Sequence, residues 1–295
     1  MSDHTPARDA RLDDLIWSPD DKAIARSNIA RTLRDRKLTS FDELYQWSIN
    51  DTEAFWGYVT KTLGIRFQSP PESIVDLSEG PTAVSWLPGA RMNIVESCFQ
   101  SSPDAPAIIC GHETNATSVL SYAKLRAEVE RVAASLERLR LPPGSAVAVF
   151  MPMTARSVSI YLGIILAGCA VVSIADSFSA DQVRLRLEIS DASAIFTVSR
   201  ITRGQKTIPV YQRVVDAGAP RAVVVDAEAG HREPLRDGDL TWTAFLGEDR
   251  IKSPCYAAPD ATMNILFSSG TTGEPKAIPW DHTTPIKAAG DAHFH

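Results

Sequence analysis

The stretch of sequence that decides the fold is Ile265-Leu266-Phe267-Ser268-Ser269-Gly270-Thr271-Thr272-Gly273-Glu274-Pro275-Lys276. Residues 263–267 are mainly apolar and predict a buried strand, which opens into a loop rich in hydroxyl groups and glycine. Glycine lets backbone N–H groups converge on an anion, and serine and threonine hydroxyl groups donate further hydrogen bonds. Lys276 supplies a positive charge. The sequence therefore predicts a loop that binds a polyphosphate.

This loop differs from the Walker-type phosphate loop, which needs glycine directly before its lysine and serine or threonine directly after it. Here Pro275 precedes Lys276 and Ala277 follows it, and the chain contains no G-x-G-x-x-G pattern. The competing interpretation is an ordinary turn with a solvated lysine. The whole string, with a strand before it, favours phosphate binding over that interpretation.

The string closely resembles the signature loop of the AMP-forming acyl-activating (adenylate-forming) superfamily, whose members include acyl-CoA synthetases and luciferases. The segment 120–136 resembles the opening helix of that family, and 86–94 resembles the tryptophan–glycine–asparagine segment of acetyl-CoA-synthetase relatives. Residues 172–178 and 208–215 are most similar to plant peroxisomal-type acyl-activating enzymes. The resemblance extends from residue 40 to residue 295.

The resemblance implies an acid–CoA ligase that uses ATP, Mg²⁺ and coenzyme A. A small-molecule carboxylic acid reacts with ATP to give acyl-AMP and pyrophosphate, and the acyl group then passes to coenzyme A. Lys276 is the implied catalytic residue, and Mg²⁺ is expected to bridge phosphate oxygens. The residues implied to hold the ATP phosphates are Ser268, Ser269, Gly270, Thr271, Thr272, Gly273 and Lys276.

A second candidate site is the segment Thr202-Arg203-Gly204-Gln205-Lys206. It resembles the Arg-Gly-Gly-Lys segment that contacts the coenzyme A nucleotide in acetyl-CoA synthetases, although Gln205 stands where the relatives have glycine. Two cations around a glycine turn suit a phosphate group. Arg203, Gly204 and Lys206 are therefore candidate coenzyme A contacts, and a solvated basic turn is an equal alternative.

The composition argues against nucleic-acid binding, because the net charge is −6 and no basic block is present. The four cysteines are far apart in the sequence, and no two of them form a C-x-x-C motif. This spacing favours reduced thiols over disulfides or a metal site. We therefore expect a cytoplasmic protein, or a peroxisomal one if a full-length form carries a C-terminal signal. The histidines show no spacing typical of metal ligands, so no metal site is predicted.

Residues 157–175 are uncharged and approach the length that spans a bilayer. Gly168 lies where a helix would end, and residues 170–174 then form a separate run typical of a strand. The segment therefore predicts a buried helix followed by a buried strand, and no membrane span.

The chain divides into a helical segment with an extended connector, residues 1–92, and an incomplete AMP-binding domain, residues 93–295. Helix-start signals lie at Ser18-Pro19-Asp20-Asp21, Ser40 and Asp51. From residue 104 onward strands alternate with helices, which predicts an α/β fold with a mainly parallel, helix-covered sheet. The predicted strands are 105–110, 145–151, 170–174, 194–198 and 221–226, and the predicted helices between them include 121–139, 180–190 and 211–217.

The family motifs expected after the phosphate loop, which bind adenine and ribose and form the lid, are not found in this sequence. We therefore expect the N-terminal part of an acid–CoA ligase that is catalytically incomplete by itself. The alternative is a non-catalytic nucleotide-binding or interaction protein derived from the same family. An unrelated NTPase is disfavoured by Pro275.

Overall fold

The computed structural model describes residues 17–80, 82–111, 117–225, 234–269 and 273–294. The helices are α1 Asp21–Arg26, α2 Asn28–Arg36, α3 Phe41–Asn50, α4 Thr52–Thr62, α5 Tyr122–Arg138, α6 Ala155–Leu166, α7 Ala180–Ser190, α8 Val210–Asp216, α9 Trp242–Phe245 and α10 Thr284–Phe294. The strands are β1 Val75–Asp76, β2 Ser85–Trp86, β3 Pro106–Cys110, β4 Ser118–Ser121, β5 Ala146–Phe150, β6 Ala170–Ser173, β7 Ala194–Val198, β8 Arg200–Arg203, β9 Lys206–Pro209, β10 Ala222–Val225, β11 Leu240–Thr241, β12 Thr262–Ser269 and β13 Pro275–Asp281.

The main sheet has seven described strands in the order β11-β10-β7-β5-β6-β12-β13. Every neighbouring pair is parallel except β12 and β13, which are antiparallel. The predicted mainly parallel, helix-covered sheet is therefore confirmed. The carboxyl ends of its parallel strands meet along one edge, where ligands of such sheets bind.

The centre of the sheet is buried from end to end, since every residue of β5, β7 and β10 is buried. Helix α6 packs on β5 and β6, and α5 packs on α6. Gly163 allows this close approach, because a Cβ atom at that position would lie 2.5 Å from Val132 Cγ1. The helix-and-strand interpretation of residues 157–175 is confirmed by α6 and β6. Within the described residues, no helix combines the length and the apolar character needed to span a membrane.

Several local predictions need correction. The strand near residue 105 forms as β3, but it pairs with β4 in a separate antiparallel sheet outside the main one. The first helix is capped by Asp20, whose Oδ1 accepts a hydrogen bond from Ala23 N at 2.7 Å, and Ser18 is not the cap. Helix α2 and the β8–β9 pair were not predicted. The last residue of the predicted strand 221–226 lies outside the described residues.

Asn93 joins three separate parts of the chain. Its buried side-chain amide donates to the carbonyl oxygen atoms of Ile165 at 2.8 Å and of Cys255 at 2.9 Å. Its Oδ1 accepts from the backbone N–H of Val95 at 3.2 Å. Ile165 is in the last turn of α6, so Asn93 fixes the chain that precedes residue 94 against the end of this helix.

The N-terminal helices pack on α10. Gly290 in α10 lies close to Val59: a Cβ atom added at Gly290 would be 3.4 Å from Val59 Cγ1. The rings of Phe55 and Phe294 lie 6.0 Å apart. Asp281 Oδ1 accepts from the backbone N–H groups of Thr283 at 2.8 Å and Thr284 at 3.0 Å, which satisfies donors at the start of α10.

Candidate active site

The predicted phosphate loop connects β12 to β13, and we call residues 262–281 the phosphate hairpin. β12 pairs with β6 only through Asn264 and Ile265, whereas its pairing with β13 continues to Ser269 opposite Pro275. The outer half of the hairpin, residues 266–269 and 275–278, therefore extends past the carboxyl edge of the parallel strands. This places Ser269 and Gly273, the described residues on either side of the loop, at the edge where ligands of such sheets bind.

Ser268 and Lys276 are directly opposite each other in the phosphate hairpin. Side chains of opposed residues in an antiparallel pair lie on the same face, with Cβ atoms about 4.5–5.5 Å apart. Both residues are exposed, and no hydrogen bond or ion pair joins the side chain of Lys276 to another described residue. Their hydroxyl and ammonium groups are thus free to meet an anion together.

The remaining residues of the predicted loop are partly described. Gly273 has a φ of +86°, a conformation that side-chain-bearing residues rarely adopt. Ser269 is exposed at the end of β12. Gly270, Thr271 and Thr272 lie outside the described residues, so their assignment to the ATP phosphates stays a prediction.

The opposite face of the phosphate hairpin carries Phe267, which pairs with Ala277. The guanidinium carbon of Arg186, on α7, lies 5.4 Å from the ring centre of Phe267 and 4.0 Å from that of Phe178. Arg186 is not among the residues that the sequence indicated. No pattern in the sequence distinguishes it from Arg184 on the same helix, because the contact with Phe267 spans distant parts of the chain.

The predicted coenzyme A segment forms the turn of the β8–β9 hairpin, in which Arg203 pairs with Lys206. Gly204 occupies the first of the two turn positions and has a φ of +59°, whereas Gln205 does not have positive φ. Two-residue hairpin turns of this kind need glycine at the first central position. Glutamine at the second position is therefore compatible with the turn, and the two cations lie side by side on one face.

Asp176 ties this turn to the main sheet. Its Oδ1 lies 2.7 Å from Arg203 Nη2, and its side chain is 15% exposed. Arg213 Nη1 donates to the carbonyl oxygen atoms of Asp176 at 3.3 Å and Phe178 at 3.0 Å. Asp176 follows β6, so the ion pair holds Arg203 at the carboxyl edge and offsets part of its charge, while Lys206 remains exposed.

A cavity of about 750 Å³ opens at the ends of β5 and β6. Arg203 and Asp176 lie at one side of it, and apolar side chains form most of its wall. Burial raises the pKa of Tyr161 in this wall to about 12, so its hydroxyl group is neutral and can donate a hydrogen bond at physiological pH. The cavity suits a ligand that has an apolar chain and an anionic end. The lining residues are Val149, Met151, Pro152, Met153, Ser157, Val158, Tyr161, Leu162, Ser173, Ile174, Ala175, Asp176 and Arg203.

In the part of the chain that the structure describes, no group of three or more His, Cys, Asp or Glu side chains could hold a metal ion.

Two protein families match the sequence. The family described as AMP-binding enzyme matches residues 95–293. The family described as acetyl-coenzyme A synthetase N-terminus matches residues 41–98.

Similar curated proteins include probable acyl-activating enzyme 17, peroxisomal, of Arabidopsis thaliana, which is 42% identical over 95% of this chain. Hexanoyl-CoA synthase of Cannabis sativa is 38% identical over 95% of this chain. A solved structure of acetoacetyl-CoA synthetase from Streptomyces lividans superposes with a TM-score of 0.82, at 26% identity over 92% of this chain. This chain spans 42% of each of these two curated relatives and 44% of the solved one.

Proposed function

This chain belongs to the AMP-binding enzyme family, and on that premise we propose that its residues supply the ATP-phosphate and coenzyme A contacts of an AMP-forming acid–CoA ligase. In the first step a carboxylate oxygen attacks the α-phosphorus of ATP, and pyrophosphate leaves. In the second step the thiol of coenzyme A attacks the acyl carbon, and AMP leaves. Both steps depend on positioning and charge stabilisation, so they need no nucleophile from the protein.

The observation that carries the proposal is the exposed pair of Ser268 and Lys276 at the carboxyl edge of the parallel sheet. Lys276 would neutralise the negative charge that develops on the β- and γ-phosphates as the bond to the α-phosphorus breaks. Ser268 and Ser269 would donate hydrogen bonds to the same oxygens, together with Gly270, Thr271, Thr272 and Gly273. Mg²⁺ would enter bound to phosphate oxygens of ATP, an environment in which this ion keeps part of its water shell.

The proposed coenzyme A site is the β8–β9 turn with the adjoining cavity. Arg203 and Lys206 supply two cations on one face of the turn, which suits a phosphate group. The apolar wall next to Arg203 suits an extended chain carrying a thiol. Asp176 would keep Arg203 in place while Lys206 contributes the uncompensated charge.

The proposed acid substrate is a small monocarboxylic acid, since the similar proteins are named for hexanoyl, acetyl and acetoacetyl groups. Two similar plant enzymes are named peroxisomal, and we extend that location to this protein as part of the proposal. The division of the chain near residue 92 likewise stays a prediction.

The test is calorimetric titration of the 295-residue polypeptide with MgATP and, separately, with coenzyme A. A Ser268→Asp variant places a carboxylate where the phosphates would lie, and it should abolish MgATP binding while coenzyme A still binds. Ser101→Asp adds the same charge at an exposed position far along the chain and serves as the control. Absence of MgATP binding by the wild-type chain, or equal binding by Ser268→Asp, would contradict the assignment of the phosphate hairpin.

A further inference from the structure

A partly buried cation lies under the phosphate hairpin. The guanidinium carbon of Arg186 is 4.0 Å from the ring centre of Phe178 and 5.4 Å from that of Phe267. Both distances are within the reach of cation–π attraction, which extends to about 6 Å from the ring centre. Phe267 is the residue directly before Ser268, so the side chain of Arg186 contacts the hairpin at the base of its loop.

The surroundings of Arg186 leave the two aromatic rings as its principal partners. Its Nη1 donates to the carbonyl oxygen of Gln182 at 2.9 Å, in the preceding turn of α7. Its Nε–H is buried and has no hydrogen-bond partner within the described parts of the chain. Burial also lowers the pKa of Arg186 from its ordinary value, but arginine keeps its charge in proteins. Cation–π attraction is strongest for a cation that has lost its water.

Arg186 and the phosphate-facing residues lie on opposite faces of the hairpin. Phe267 pairs with Ala277, and Ser268 pairs with Lys276 one position further along. Successive residues of a strand point to opposite faces, so Arg186 supports the face that Ser268 and Lys276 do not occupy.

The outer half of the hairpin needs such support, because β12 loses its pairing with β6 after Ile265. From Leu266 to Ser269, β13 is the only strand among the described residues that pairs with β12. Helix α7 packs against β13, and Arg186 extends that contact to β12 through Phe267. Without a supporting contact of this kind, a two-stranded ribbon that projects from a sheet is only marginally ordered.

We propose that Arg186 is a positioning residue for ATP, which holds the outer half of the phosphate hairpin through Phe267 and thereby fixes Ser268 and Lys276. Arg186 does not touch the nucleotide in this arrangement. The proposal rests on the proposed function, since it assumes that the hairpin binds the phosphates of ATP. Phe178 lies two residues after Asp176, the partner of Arg203, so the same cation also braces the segment between the two candidate sites.

The test compares Arg186→Met, which keeps an apolar stem without charge, with Arg186→Lys, which keeps the charge without the planar group. The matched control is Arg184→Met on the same helix. Arg184 is ion-paired with Asp181 at 3.0 Å and donates to the carbonyl of Asp216 at 3.0 Å, both away from the hairpin.

The first measurement is amide hydrogen exchange without nucleotide. In Arg186→Met, amides of residues 266–269 and 273–278 should exchange roughly tenfold faster, the factor expected for loss of a partly buried cation–π contact. Amides of the central strands β5 and β7 should keep their wild-type rates, as should all amides in Arg184→Met. Faster exchange spread over β5 and β7 would indicate a general structural role and overturn the proposal.

The second measurement is titration with MgATP and with inorganic pyrophosphate. Arg186→Met should weaken the binding of both ligands by roughly fivefold to thirtyfold. Arg186→Lys should recover part of the lost affinity. Adding Arg186→Met to a Phe267→Leu background should change the affinity little, because the partner ring is already gone. Wild-type affinity in Arg186→Met, or a full additional loss in the double variant, overturns the proposal.

The two measurements separate this proposal from the proposed function. If the wild-type chain binds neither MgATP nor pyrophosphate, the proposed function fails. Faster exchange confined to the hairpin of Arg186→Met then still supports Arg186 as the support of that hairpin, and unchanged exchange refutes it.

Discussion

Lys276 lies directly opposite Ser268 on the two antiparallel strands of the phosphate hairpin, so that one ammonium group and one hydroxyl group face the same side. Neither side chain is covered. This is an arrangement that a phosphate group can enter without displacing an existing ion pair between described residues. It also allows the contribution of each group to be measured separately.

Lys276→Ala should weaken the binding of pyrophosphate more than that of MgATP. The leaving pyrophosphate carries more negative charge than the same two phosphates within ATP, so a cation that acts as charge develops favours it. Loss of one charge-assisted hydrogen bond predicts a weakening of about tenfold to a hundredfold for pyrophosphate. Lys276→Arg should restore only part of the wild-type affinity for pyrophosphate, because a planar guanidinium group replaces a compact ammonium group.

Competition titration with the two ligands measures this difference. Lys61→Ala, which removes an exposed lysine from α4, is the control. Equal affinities for wild type and Lys276→Ala would mean that Lys276 is a solvated loop lysine.

Lys206→Gln should weaken coenzyme A binding by about tenfold to a hundredfold and leave MgATP binding unchanged. Asp176→Asn should reduce coenzyme A affinity less, because it releases Arg203 from its ion pair without removing the cation. Titration of both variants with coenzyme A measures these two changes in affinity. Lys252→Gln, an exposed loop substitution, is the control. If Lys206→Gln and Lys252→Gln behave alike, the basic turn is only solvated.

His282 should make the stability of the fold depend on pH. It is 4% exposed, and its Nδ1 accepts a hydrogen bond from the backbone N–H of Ile94 at 3.3 Å. Burial lowers the pKa of His282, and the neighbouring Asp281 carboxylate only partly opposes that effect. The folded state therefore keeps the imidazole neutral at a pH where the unfolded chain already binds a proton.

As pH falls below the unfolded pKa of about 6.5, protonation of the unfolded chain should therefore reduce the free energy of unfolding. The loss should continue until the lower pKa of the folded state is reached. Urea denaturation of wild type and His282→Asn at a series of pH values between about 5 and 8 checks this. Asparagine can still accept the Ile94 hydrogen bond, so its curve should be flatter. Parallel curves would assign the pH dependence to other groups.

Asp239→Asn should destabilise the protein by about 3 kcal/mol, because it leaves Arg236 without its buried partner. The Asp239 side chain is 2% exposed, lies 2.9 Å from Arg236 Nε and accepts from Tyr211 Oη at 2.6 Å. Its Oδ1 also accepts from the backbone N–H of Ala222 at 2.8 Å, which anchors the start of β10. Tyr211→Phe removes two hydrogen bonds, the one donated to Asp239 and the one accepted from the backbone N–H of Arg236 at 2.8 Å, and should cost about 2 kcal/mol.

Burial by itself raises the pKa of Asp239, but hydrogen bonds from Arg236, Tyr211 and Ala222 outweigh it and hold the pKa below its ordinary value. The stabilisation is therefore present above the unfolded pKa of about 4 and is lost as pH falls through the folded value. Denaturation of the wild type and the variants near pH 7, and again at acid pH, measures the cost of each substitution and its dependence on pH. An Asp239→Asn variant as stable as wild type near pH 7 would contradict the prediction.

Local signals predicted many individual elements correctly. Ser40 caps α3 and Asp51 caps α4, each by accepting from the backbone N–H three residues on, as the sequence indicated. α7 and β7 have the predicted bounds. Such elements depend on residues within one or two turns of each other, so a single stretch of sequence contains the relevant information.

The positions of elements relative to each other were less predictable. β3 has the apolar pattern of a strand, yet it joins β4 outside the main sheet, because pairing depends on which edge is available after folding. The contacts of Arg186 with Phe267, and of Asn93 with Cys255, join residues far apart in the chain. No local pattern distinguishes such side chains from ordinary surface or connector residues.

The sequence by itself determined which groups the two candidate sites offer: a hydroxyl- and glycine-rich loop with Lys276, and a basic turn with Arg203 and Lys206, each next to a strand. It could do so because the polar residues of each candidate site are close together in the chain. Only the tertiary structure decided that Ser268 is opposite Lys276, that Asp176 pairs with Arg203, and that Arg186 contacts Phe267 on the other face of the hairpin. Strand register and helix packing set these relationships, and both arise from contacts between distant segments that form together when the core is buried.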